Sequence, residues 1–376
     1  MVKIAIIGSR GVPATFGGVE KHCEELYSRL VTNSYQVVIY SRNYYNKDNL
    51  TKYKGIDIFN IPVMNIKGVE AFIHCFISSI LASFSNADII HYHAQGPVLF
   101  AVIPRIFSPK KIIAFTCHGV DWQRDKWNFI ASFVIRSGEY ISSKIPHIKI
   151  AVSQYLVDYY KDKYNITPNK IYNGVTVLPK IKSGKVLDQF NLIEKQYLIF
   201  VGRLVPEKAP EIAIKAFQNL NTDKKLVIVG GAAKTDSYLK QLQDIANNDH
   251  RIIFTDFLYA QDLQELYSSA LAYISSSRLE GLPITVLEAM SYSLPVILSD
   301  IGPHKEVLEF EEFAGFNFKT NDIQDCAEKI EKVFSLSLEE IEIIGNNAKL
   351  IVEKHFIWDS IAHETSRLYE ISLNIK

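Results

Sequence analysis

The sequence has few of the features of proteins that are stabilised by disulfides or by zinc, or that span a membrane. Its 376 residues contain four cysteines, and none of them lies in a C-x-x-C pair. A disulfide framework and a zinc ribbon are therefore not indicated, and we expect a cytoplasmic protein. The longest apolar stretch, residues 69–84, includes a histidine, a cysteine and three serines, whereas a membrane span needs about 20 mostly apolar residues. We predict a buried core helix there.

Three phosphate-related motifs are also missing. The glycines after the first strand-like run are Gly8, Gly11, Gly17 and Gly18, which is not the G-x-G-x-x-G spacing of dinucleotide sites. The chain has no G-x-x-x-x-G-K-[ST] and no D-x-D. These absences argue against a nicotinamide or flavin cofactor, against a P-loop hydrolase and against a metal clamp on a diphosphate. The loop still ends in Gly-Gly before a helix, which favours a diphosphate site; a plain strand–helix turn is the alternative.

The formal net charge is zero, but the charges are unevenly distributed. Residues 1–180 hold 21 Lys and Arg against 12 Asp and Glu, a balance of +9, and the remainder has 20 against 29, a balance of −9. A basic first half suits an anionic partner such as lipid, diphosphate or nucleic acid. An ordinary solvated basic surface is the alternative.

Strand-like and helix-like segments alternate along almost the whole chain. Such alternation predicts parallel sheets covered by helices on both faces. The polar stretch 174–196 interrupts the pattern, and we place a linker there. The expected domains are 1–178 and 179–357, with a final helix over 358–376. The predicted strands are 3–8, 36–41, 88–93, 111–118, 148–153, 197–203, 225–231, 251–257, 272–277 and 295–300.

Two carboxylates eight residues apart stand out in the second half. Glu280 is expected in a loop at a strand end, and Glu288 about one and a half turns inside the helix that Pro283 would begin. One ligand would then meet a carboxylate, a helix N-terminus and a second carboxylate, and carboxylates accept hydrogen bonds from sugar hydroxyls. Two solvated glutamates near a helix start are the alternative.

Two cations follow another strand of the second half. Arg203 and Lys208 flank Pro206 in VGRLVPEK. Arginine binds a diphosphate in bidentate fashion and lysine binds it as a point charge. Ordinary surface charge is the alternative.

Several of these motifs together resemble those of family 4 glycosyltransferases. The matching segments are FVGRLVPEK (200–208), SSSRLEGLPITVLEAM (275–290), SLPVILSDIG (293–302), IYNGV (171–175) and, at the front, GSRGVPATFGGVEKH (8–22). The resemblance spans nearly the whole chain and is nearest to a bacterial, rhamnosyltransferase-like subgroup of polysaccharide assembly. It implies the GT-B architecture: two Rossmann-like parallel-sheet domains facing across a cleft, with the C-terminal helix crossing back.

The resemblance also implies a set of site residues, without a metal ligand or a cofactor. The implied catalytic residues are His118, Arg203, Lys208 and Glu280. The implied donor-binding residues are Gly17, Gly18, Arg203, Lys208, Asp256, Phe257, Glu280, Gly281, Leu282, Pro283, Ile284 and Glu288.

The implied roles divide between the phosphates and the rest of a nucleotide sugar. Gly17 and Gly18 would offer amides to the distal phosphate, and Arg203 and Lys208 would stabilise the leaving diphosphate. Glu288 would hold the ribose hydroxyls. Glu280 and the amides after it, together with His118 of TCHGVD, would meet the donor sugar, and residues 255–257 would read the base through backbone groups.

Three departures from the family pattern and two further candidates complete the analysis. Ala209 and Ser293 stand where the family usually has glycine, and Pro303-His304 replaces a commoner glycine. His91 and His93 face one side of a strand, but a metal pair there lacks an evident third ligand. The aromatic and basic stretch 121–129 would meet a lipid-linked acceptor or the membrane surface, or else form a structural loop.

The resemblance predicts a retaining, metal-independent enzyme of cell-surface polysaccharide synthesis. It would move a sugar from a nucleotide-diphosphate sugar to a saccharide or lipid-linked saccharide, at the inner face of the plasma membrane, with no nucleic acid as partner. The alternatives are a non-catalytic nucleotide-sugar binding protein and a nucleotide-sugar epimerase of related fold.

Overall fold

The computed structural model describes residues 1–15, 17–32, 35–46, 48–64, 66, 69–124, 127–231 and 236–374. The chain divides into two compact units. The first contains Met1–Gly174 together with Trp358–Lys376, and the second contains Val175–Ile357. The first unit therefore consists of two separate segments of the chain.

The first unit is built around an eight-stranded sheet. Its strands are β1 (Lys3–Ile7), β2 (Gln36–Arg42), β3 (Lys52–Tyr53), β4 (Ile56–Ile61), β5 (Ile89–His93), β6 (Ile112–Cys117), β7 (Ile148–Ala151) and β8 (Asn169–Lys170). Its helices are α1 (Gly18–Thr32), α2 (Glu70–Phe84), α3 (Gln95–Val98), α4 (Val102–Phe107), α5 (Phe129–Lys144), α6 (Gln154–Tyr164) and, from the end of the chain, α15 (Trp358–Asn374).

The order of these strands is β3-β4-β2-β1-β5-β6-β7-β8. Every pairing is parallel except that of the short β3 with β4. The chain runs outward from β1 through β2 to β4, and then returns to the other side of β1 with β5. The sheet therefore changes direction between β1 and β5, and ligands of open parallel sheets bind at the carboxyl ends of strands at such a point.

The second unit has a six-stranded parallel sheet. Its strands are β9 (Tyr197–Val201), β10 (Lys225–Val229), β11 (Ile252–Asp256), β12 (Ala272–Ser275), β13 (Val296–Ser299) and β14 (Gly315–Phe318), in the order β11-β10-β9-β12-β13-β14. Its helices are α7 (Lys185–Gln189), α8 (Pro210–Gln218), α9 (Asp236–Ala246), α10 (Ala260–Ser269), α11 (Ile284–Ser291), α12 (Gly302–Leu308), α13 (Ile323–Ser335) and α14 (Leu338–His355). This sheet changes direction between β9 and β12.

The core of the second unit lies between its sheet and the covering helices. Phe200 and Ile228 from the central strands pack with Phe217 of α8 and Ile330 of α13, and all four side chains are buried. Strand β9 reads YLIFV and is buried at every position, as expected for a strand covered on both faces. All ten strands predicted from the sequence are present, and β3, β4, β8 and β14 were not predicted.

Helix α2 differs from the buried core helix that its apolar sequence predicts. Its buried positions carry small or polar residues such as His74, Ser78 and Ser79, whereas Phe76 and Phe84 are exposed. The hydroxyls of Ser78 and Ser79 donate back to the carbonyls four residues earlier, so these two buried hydroxyls have partners. Within the described residues, no helix combines the length and the apolarity needed to cross a membrane.

The last helix, α15, packs against α1 of the first unit. Arg29 Nε donates to Asp359 Oδ1 at 2.6 Å, and the hydroxyls of Tyr35 and Ser366 lie 2.8 Å apart. Trp358, at the start of α15, is fully buried. The C-terminal helix therefore completes the first unit, as the resemblance implies.

Candidate functional site

The carboxyl ends of β9 and β12 bring the predicted diphosphate and sugar ligands of the second unit together. Arg203 and Lys208 lie in the loop after β9, and Glu280 lies in the loop after β12. These strands are neighbours in the sheet and point the same way. The sequence placed the three residues at strand ends, and the topology places those ends side by side.

Lys208 and Glu280 form an ion pair in which Lys208 Nζ donates to Glu280 Oε1. Ser277 Oγ donates to the same carboxylate oxygen at 2.8 Å. Burial raises the pKa of Glu280, but the Lys208 charge and the two hydrogen bonds outweigh burial and lower this pKa below its ordinary value. Glu280 is therefore an ionised acceptor at neutral pH, and Lys208 keeps two further ammonium donors for a ligand.

Further contacts fix the loop after β12 against the segment that follows β9. Arg278 Nη2 donates to Glu211 Oε1 at 2.6 Å, and the Arg278 backbone amide donates to the Glu207 carbonyl at 2.8 Å. Ser276 Oγ donates to the Ala209 carbonyl at 2.7 Å. These bonds fix the two segments against each other, so the position of the Lys208–Glu280 ion pair does not depend on the ion pair alone.

Two family glycine positions have left-handed backbone in this chain. Ala209, which follows Lys208, has φ +46°, and Ser293, which precedes the strand β13, has φ +54°. A side chain in this region costs about 1–2 kcal/mol relative to glycine. The two departures noted in the sequence therefore fall at positions where the backbone itself favours glycine.

Glu288 lies on α11, which begins at Ile284 rather than at Pro283. Pro283 is the residue immediately before the helix and has extended backbone, so Glu288 is nearer the helix start than the predicted one and a half turns. Gly281 and Leu282, in the loop before this helix, are buried. Burial first, and then the charge of Glu288, raise the pKa of Tyr267 well above its usual value, so Glu288 lies close to this phenol.

The predicted base-reading segment is at the end of β11. Asp256 has φ +60°, its carbonyl accepts from the Gly230 amide at 3.0 Å, and its Oδ1 accepts from the Phe257 amide at 2.8 Å. The Phe257 ring stacks on Tyr259 with the ring planes 12° apart. The segment is therefore a bent strand end with an aromatic side chain, whose role toward a base stays a prediction.

His304, one of the atypical residues after β13, is buried on α12. Its Nδ1 lies 3.0 Å from Ser299 Oγ. Burial lowers the pKa of His304 to about 4, although the Glu280 charge opposes this shift. Pro303 falls in the first turn of α12, where a missing amide proton costs nothing. Both residues are thus accommodated without disturbing the helix start.

In the first unit, the glycine loop follows β1 at the direction change of the sheet. Gly17 has φ +105°, and a side chain there would meet Glu20 Oε2 at 2.1 Å. A side chain at Gly18 would meet no described atom within 4 Å. Glu20 of α1 accepts from the Arg10 amide at 3.1 Å, which ties the helix to the loop; Phe16 lies outside the described residues.

His118 follows β6 and contacts a second histidine at the end of β5. Its Nε2 lies 2.9 Å from Nδ1 of His93, and His93 Nε2 lies 2.7 Å from the Tyr27 hydroxyl. Tyr27 is on α1 and is fully buried. The side chain of His118 is therefore oriented through His93 by the first helix.

His91 and His93 do lie on the same side of β5, as their spacing predicts. Their rings stack with centroids 4.4 Å apart. Both nitrogens of His91 have protein partners, since Nδ1 faces the Tyr27 and Tyr369 hydroxyls and Nε2 lies 2.8 Å from Thr116 Oγ1. The two histidines thus have different surroundings.

His22 on α1 lies beside His91, His93 and His118, and we name these four residues the histidine cluster. His22 was not identified from the sequence as a site residue. Its Nδ1 lies 2.9 Å from Asn173 Oδ1, and its ring packs edge-on against His118 with centroids 4.6 Å apart. One ring nitrogen from each of His22, His93 and His118 lies within 4.8 Å of the others. The only sequence signal was its place one turn inside the helix after Gly18.

All four histidines of the cluster are neutral at pH 7. Burial lowers the pKa of His22 to about 4 and that of His91 to about 3. Burial, followed by the neighbouring imidazoles, holds the pKa values of His93 and His118 well below their ordinary value.

The stretch 121–129 makes structural contacts in its described part. Trp122 Nε1 donates to the buried carboxylate of Glu139 at 2.6 Å, and Trp127 Nε1 donates to the Asp121 carbonyl at 2.9 Å. Residues 125 and 126 of this stretch lie outside the described residues. The two indole N–H groups therefore make hydrogen bonds within the first unit, which favours a structural loop over a lipid-binding role for these two residues.

Two family models match the chain and between them span most of it. The model "Glycosyltransferase Family 4" matches residues 16–177, and the model "Glycosyl transferases group 1" matches residues 187–351. The chain belongs to glycosyltransferase family 4. It is accordingly a glycosyltransferase, and its two parallel-sheet domains are those of the GT-B fold.

Relatives of this family 4 glycosyltransferase include archaeal and bacterial proteins. It is 26% identical to an uncharacterized glycosyltransferase of Methanocaldococcus jannaschii, over 100% of this chain and 99% of the relative. It is also 26% identical to the O-antigen chain mannosyltransferase B of Escherichia coli, over 50% of this chain and 49% of the relative. Among solved structures, Anabaena HepE in complex with UDP and glucose is similar in fold, with a TM-score of 0.80, 17% identity, and 98% and 100% of the two chains covered.

Proposed function

We propose that this glycosyltransferase moves a sugar from a nucleoside-diphosphate sugar to a saccharide or lipid-linked saccharide acceptor in cell-surface polysaccharide synthesis. The transfer retains the anomeric configuration and uses no metal ion at the diphosphate. The observation that carries the proposal is the Lys208–Glu280 pair at the β9–β12 direction change. It sets an ammonium for a phosphate beside a carboxylate for sugar hydroxyls, at the place where this type of sheet binds ligands.

The chemistry needs stabilisation of the leaving diphosphate. Arg203 and Lys208 supply two fixed positive charges in the loop after β9, and fixed charges aimed at developing negative charge lower the barrier. The bond between the anomeric carbon and the phosphate oxygen breaks, the acceptor hydroxyl oxygen forms the new bond on the same face, and its proton passes to the departing phosphate. Glu280 is held by Lys208 and Ser277, so we assign it to binding sugar hydroxyls rather than to nucleophilic attack.

The proposed substrates are supported by the relatives as well as by the site. HepE was solved with UDP and glucose, which makes UDP the first nucleotide to test. The similarity to an O-antigen mannosyltransferase supports a role in polysaccharide assembly. Glu288, on α11 beside the sugar-binding loop, is assigned to the ribose hydroxyls.

A thermal-shift screen against UDP, GDP, ADP and dTDP, with and without EDTA, tests this proposal. A nucleotide at about 100 times its Kd adds about 2.7 kcal/mol to the free energy of unfolding. We expect one nucleotide to raise Tm in the presence of EDTA and to lose this effect in Glu288→Ala. A shift that EDTA abolishes would contradict the metal-free site, and the absence of any shift would contradict the nucleotide site. Proton NMR of the glycosidic product tests retention.

The exposed apolar face of the first unit supports the proposed place at the inner face of the plasma membrane. Phe76 and Phe84 of α2 and Ile106 and Phe107 of α4 are exposed, and the rings of Phe84 and Phe107 lie 6.0 Å apart. We name these four residues the α2–α4 apolar face. Lys110, which follows α4, and the +9 balance of the first half give the charge that anionic lipids attract.

A further inference from the structure

Three histidines of the first unit turn nitrogens toward one another. His93 Nδ1 and His118 Nε2 face each other at 2.9 Å. His22 Nε2 is buried and, among the residues that the structure describes, has no hydrogen-bond partner. A buried ring nitrogen without a partner is costly unless it receives a ligand.

We propose that His22, His93 and His118 form a binding site for a divalent transition metal of the zinc class. Zinc takes imidazole nitrogens at about 2.0–2.1 Å, and a tetrahedral site then sets its nitrogens about 3.3 Å apart. The facing nitrogens of His93 and His118 are closer than this value, at 2.9 Å, and one ring nitrogen of each of the three histidines lies within 4.8 Å of the others. Side-chain adjustments of an ångström or so bring the three atoms around one ion.

The partners of the outer nitrogens suit a metal site. Asn173 Oδ1 accepts from Nδ1–H of His22, which leaves Nε2 as the bare nitrogen. The Tyr27 hydroxyl is 2.7 Å from Nε2 of His93 and can accept its proton, which leaves Nδ1 bare. Such outer hydrogen bonds fix the tautomer of ligating histidines and orient their rings.

Metal binding needs no net loss of protons from the cluster. Each of the three imidazoles is neutral, and neutral imidazole is the ligating form. Without metal, one proton lies between His93 Nδ1 and His118 Nε2. On binding, each of these two rings carries its single proton on the outer nitrogen, and the Tyr27 hydroxyl turns its own proton toward His91 Nδ1, 2.9 Å away.

His91 provides an internal comparison for the proposal. It is as buried as His93 and stacks on it, but both of its nitrogens face the protein hydroxyls of Tyr27, Tyr369 and Thr116. It is therefore not a ligand. His118 is only partly buried, so the fourth coordination position is open to water or to an incoming group.

The site goes beyond the proposed transfer, which uses no metal at the diphosphate. One consequence rests on the proposed function: a metal on Nε2 of His118 removes that ring from its predicted sugar contact, so micromolar zinc should inhibit transfer. Inhibition is a secondary readout, because metal binding is measured without any substrate.

Titration of the full chain with Co²⁺, a spectroscopic substitute for zinc, tests the site. We expect one equivalent to bind with the visible d–d bands of a nitrogen-ligated, low-coordinate ion, and Zn²⁺ to displace it. His22→Gln and His93→Gln should each change the bands and weaken binding at least about tenfold, whereas His91→Gln should keep the bands and weaken binding less, because it removes only an outer acceptor for Tyr27. Circular dichroism and Tm establish whether each variant is folded. His22 lies on a helix rather than in the central strands, so the affinity of His22→Gln tests the metal site if His93→Gln is unfolded. Absence of the bands in the unmutated protein, or an equal loss in His91→Gln, would overturn the proposal.

Discussion

Lys208 and Glu280 lie 72 positions apart in the chain, and yet the ammonium of the first donates directly to the carboxylate of the second. Both groups are largely withdrawn from solvent, and Ser277 adds a second hydrogen bond to the same oxygen. The pair therefore joins the loops after β9 and β12 before any ligand arrives. A donor would meet a charge arrangement that is already formed.

The first prediction concerns the pH dependence of stability. The pKa of Glu280 is lower in the folded protein than in the unfolded chain, so its contribution to stability is present above its ordinary pKa of about 4.3 and is lost as the pH falls through the lowered value. We expect Glu280→Gln to lower Tm at pH 7 and the gap in Tm to narrow below about pH 4.5. Calorimetry of both proteins between pH 3.5 and 7 measures the gap, and a constant gap would mean that the carboxylate charge does not stabilise the fold.

The second prediction separates ribose binding from catalysis. Glu288→Ala should weaken nucleotide binding by about 10–100-fold, because hydrogen bonds to a charged group contribute about 1.5–3 kcal/mol. Isothermal titration measures this change, and Glu328→Ala on α13 is a control with the same change of charge. An unaltered Kd for Glu288→Ala would exclude this residue from the ribose site.

The third prediction concerns the leaving group. Arg203→Ala should lower kcat by about 100-fold or more and weaken nucleotide binding less, because a charge aimed at the departing diphosphate acts mainly in the transition state. Steady-state kinetics and titration on the same preparation give the two numbers. If Kd changes as much as kcat/KM while kcat is kept, Arg203 serves ground-state binding only.

The fourth prediction concerns the two left-handed residues. Ala209→Gly and Ser293→Gly should each raise the free energy of unfolding by about 0.5–1 kcal/mol, since the relief of about 1–2 kcal/mol of backbone strain exceeds the entropy gained by the unfolded chain. Ala213→Gly, inside α8, should instead destabilise by about 1 kcal/mol. Urea denaturation compares the three variants, and destabilisation at both left-handed positions would count against the strain.

The fifth prediction concerns the α2–α4 apolar face. Phe84 and Phe107 are 71% and 62% exposed, so Phe84→Ser with Phe107→Ser should leave folding stability within about 0.5 kcal/mol per site. Sedimentation with phosphatidylglycerol vesicles at low salt should fall sharply. The matched control is Phe313→Ser with Leu338→Ser, which are 52% and 66% exposed on the other unit. Equal losses in both double variants, or no sedimentation of the unmutated protein, would refute this membrane surface.

The sequence predicts the sheets well because their strands are continuous apolar runs, such as YLIFV in β9. It misses β4, IDIFNI, since this strand is only partly buried and mixes polar with apolar residues. The strand ends also locate Arg203 and Glu280 correctly, because a parallel sheet places every loop of one kind at one edge.

The remaining features depend on tertiary contacts that no local pattern carries. Helix α2 has small and polar residues on one face and large apolar residues on the other. Hydrophobicity predicts that the large apolar face is buried, whereas the neighbouring elements cover the face with the serines. His22 contacts His118 only because the fold brings a residue of α1 beside the residues that end β5 and follow β6. The left-handed backbone at Ala209, in contrast, could be expected from the sequence, because the family usually has glycine at this position.

The first unit consists of two separate segments of the chain, and this has a consequence for the order in which the two units are completed. Trp358–Lys376 belong to this unit, whereas everything between Val175 and Ile357 forms the other. All residues of the second unit are therefore translated before the helix that carries Tyr369, whose hydroxyl lies 2.5 Å from His91 Nδ1. The first unit to be translated is the last to be finished, and a chain truncated before residue 358 would contain the whole second unit but a first unit whose His91 lacks its Tyr369 partner.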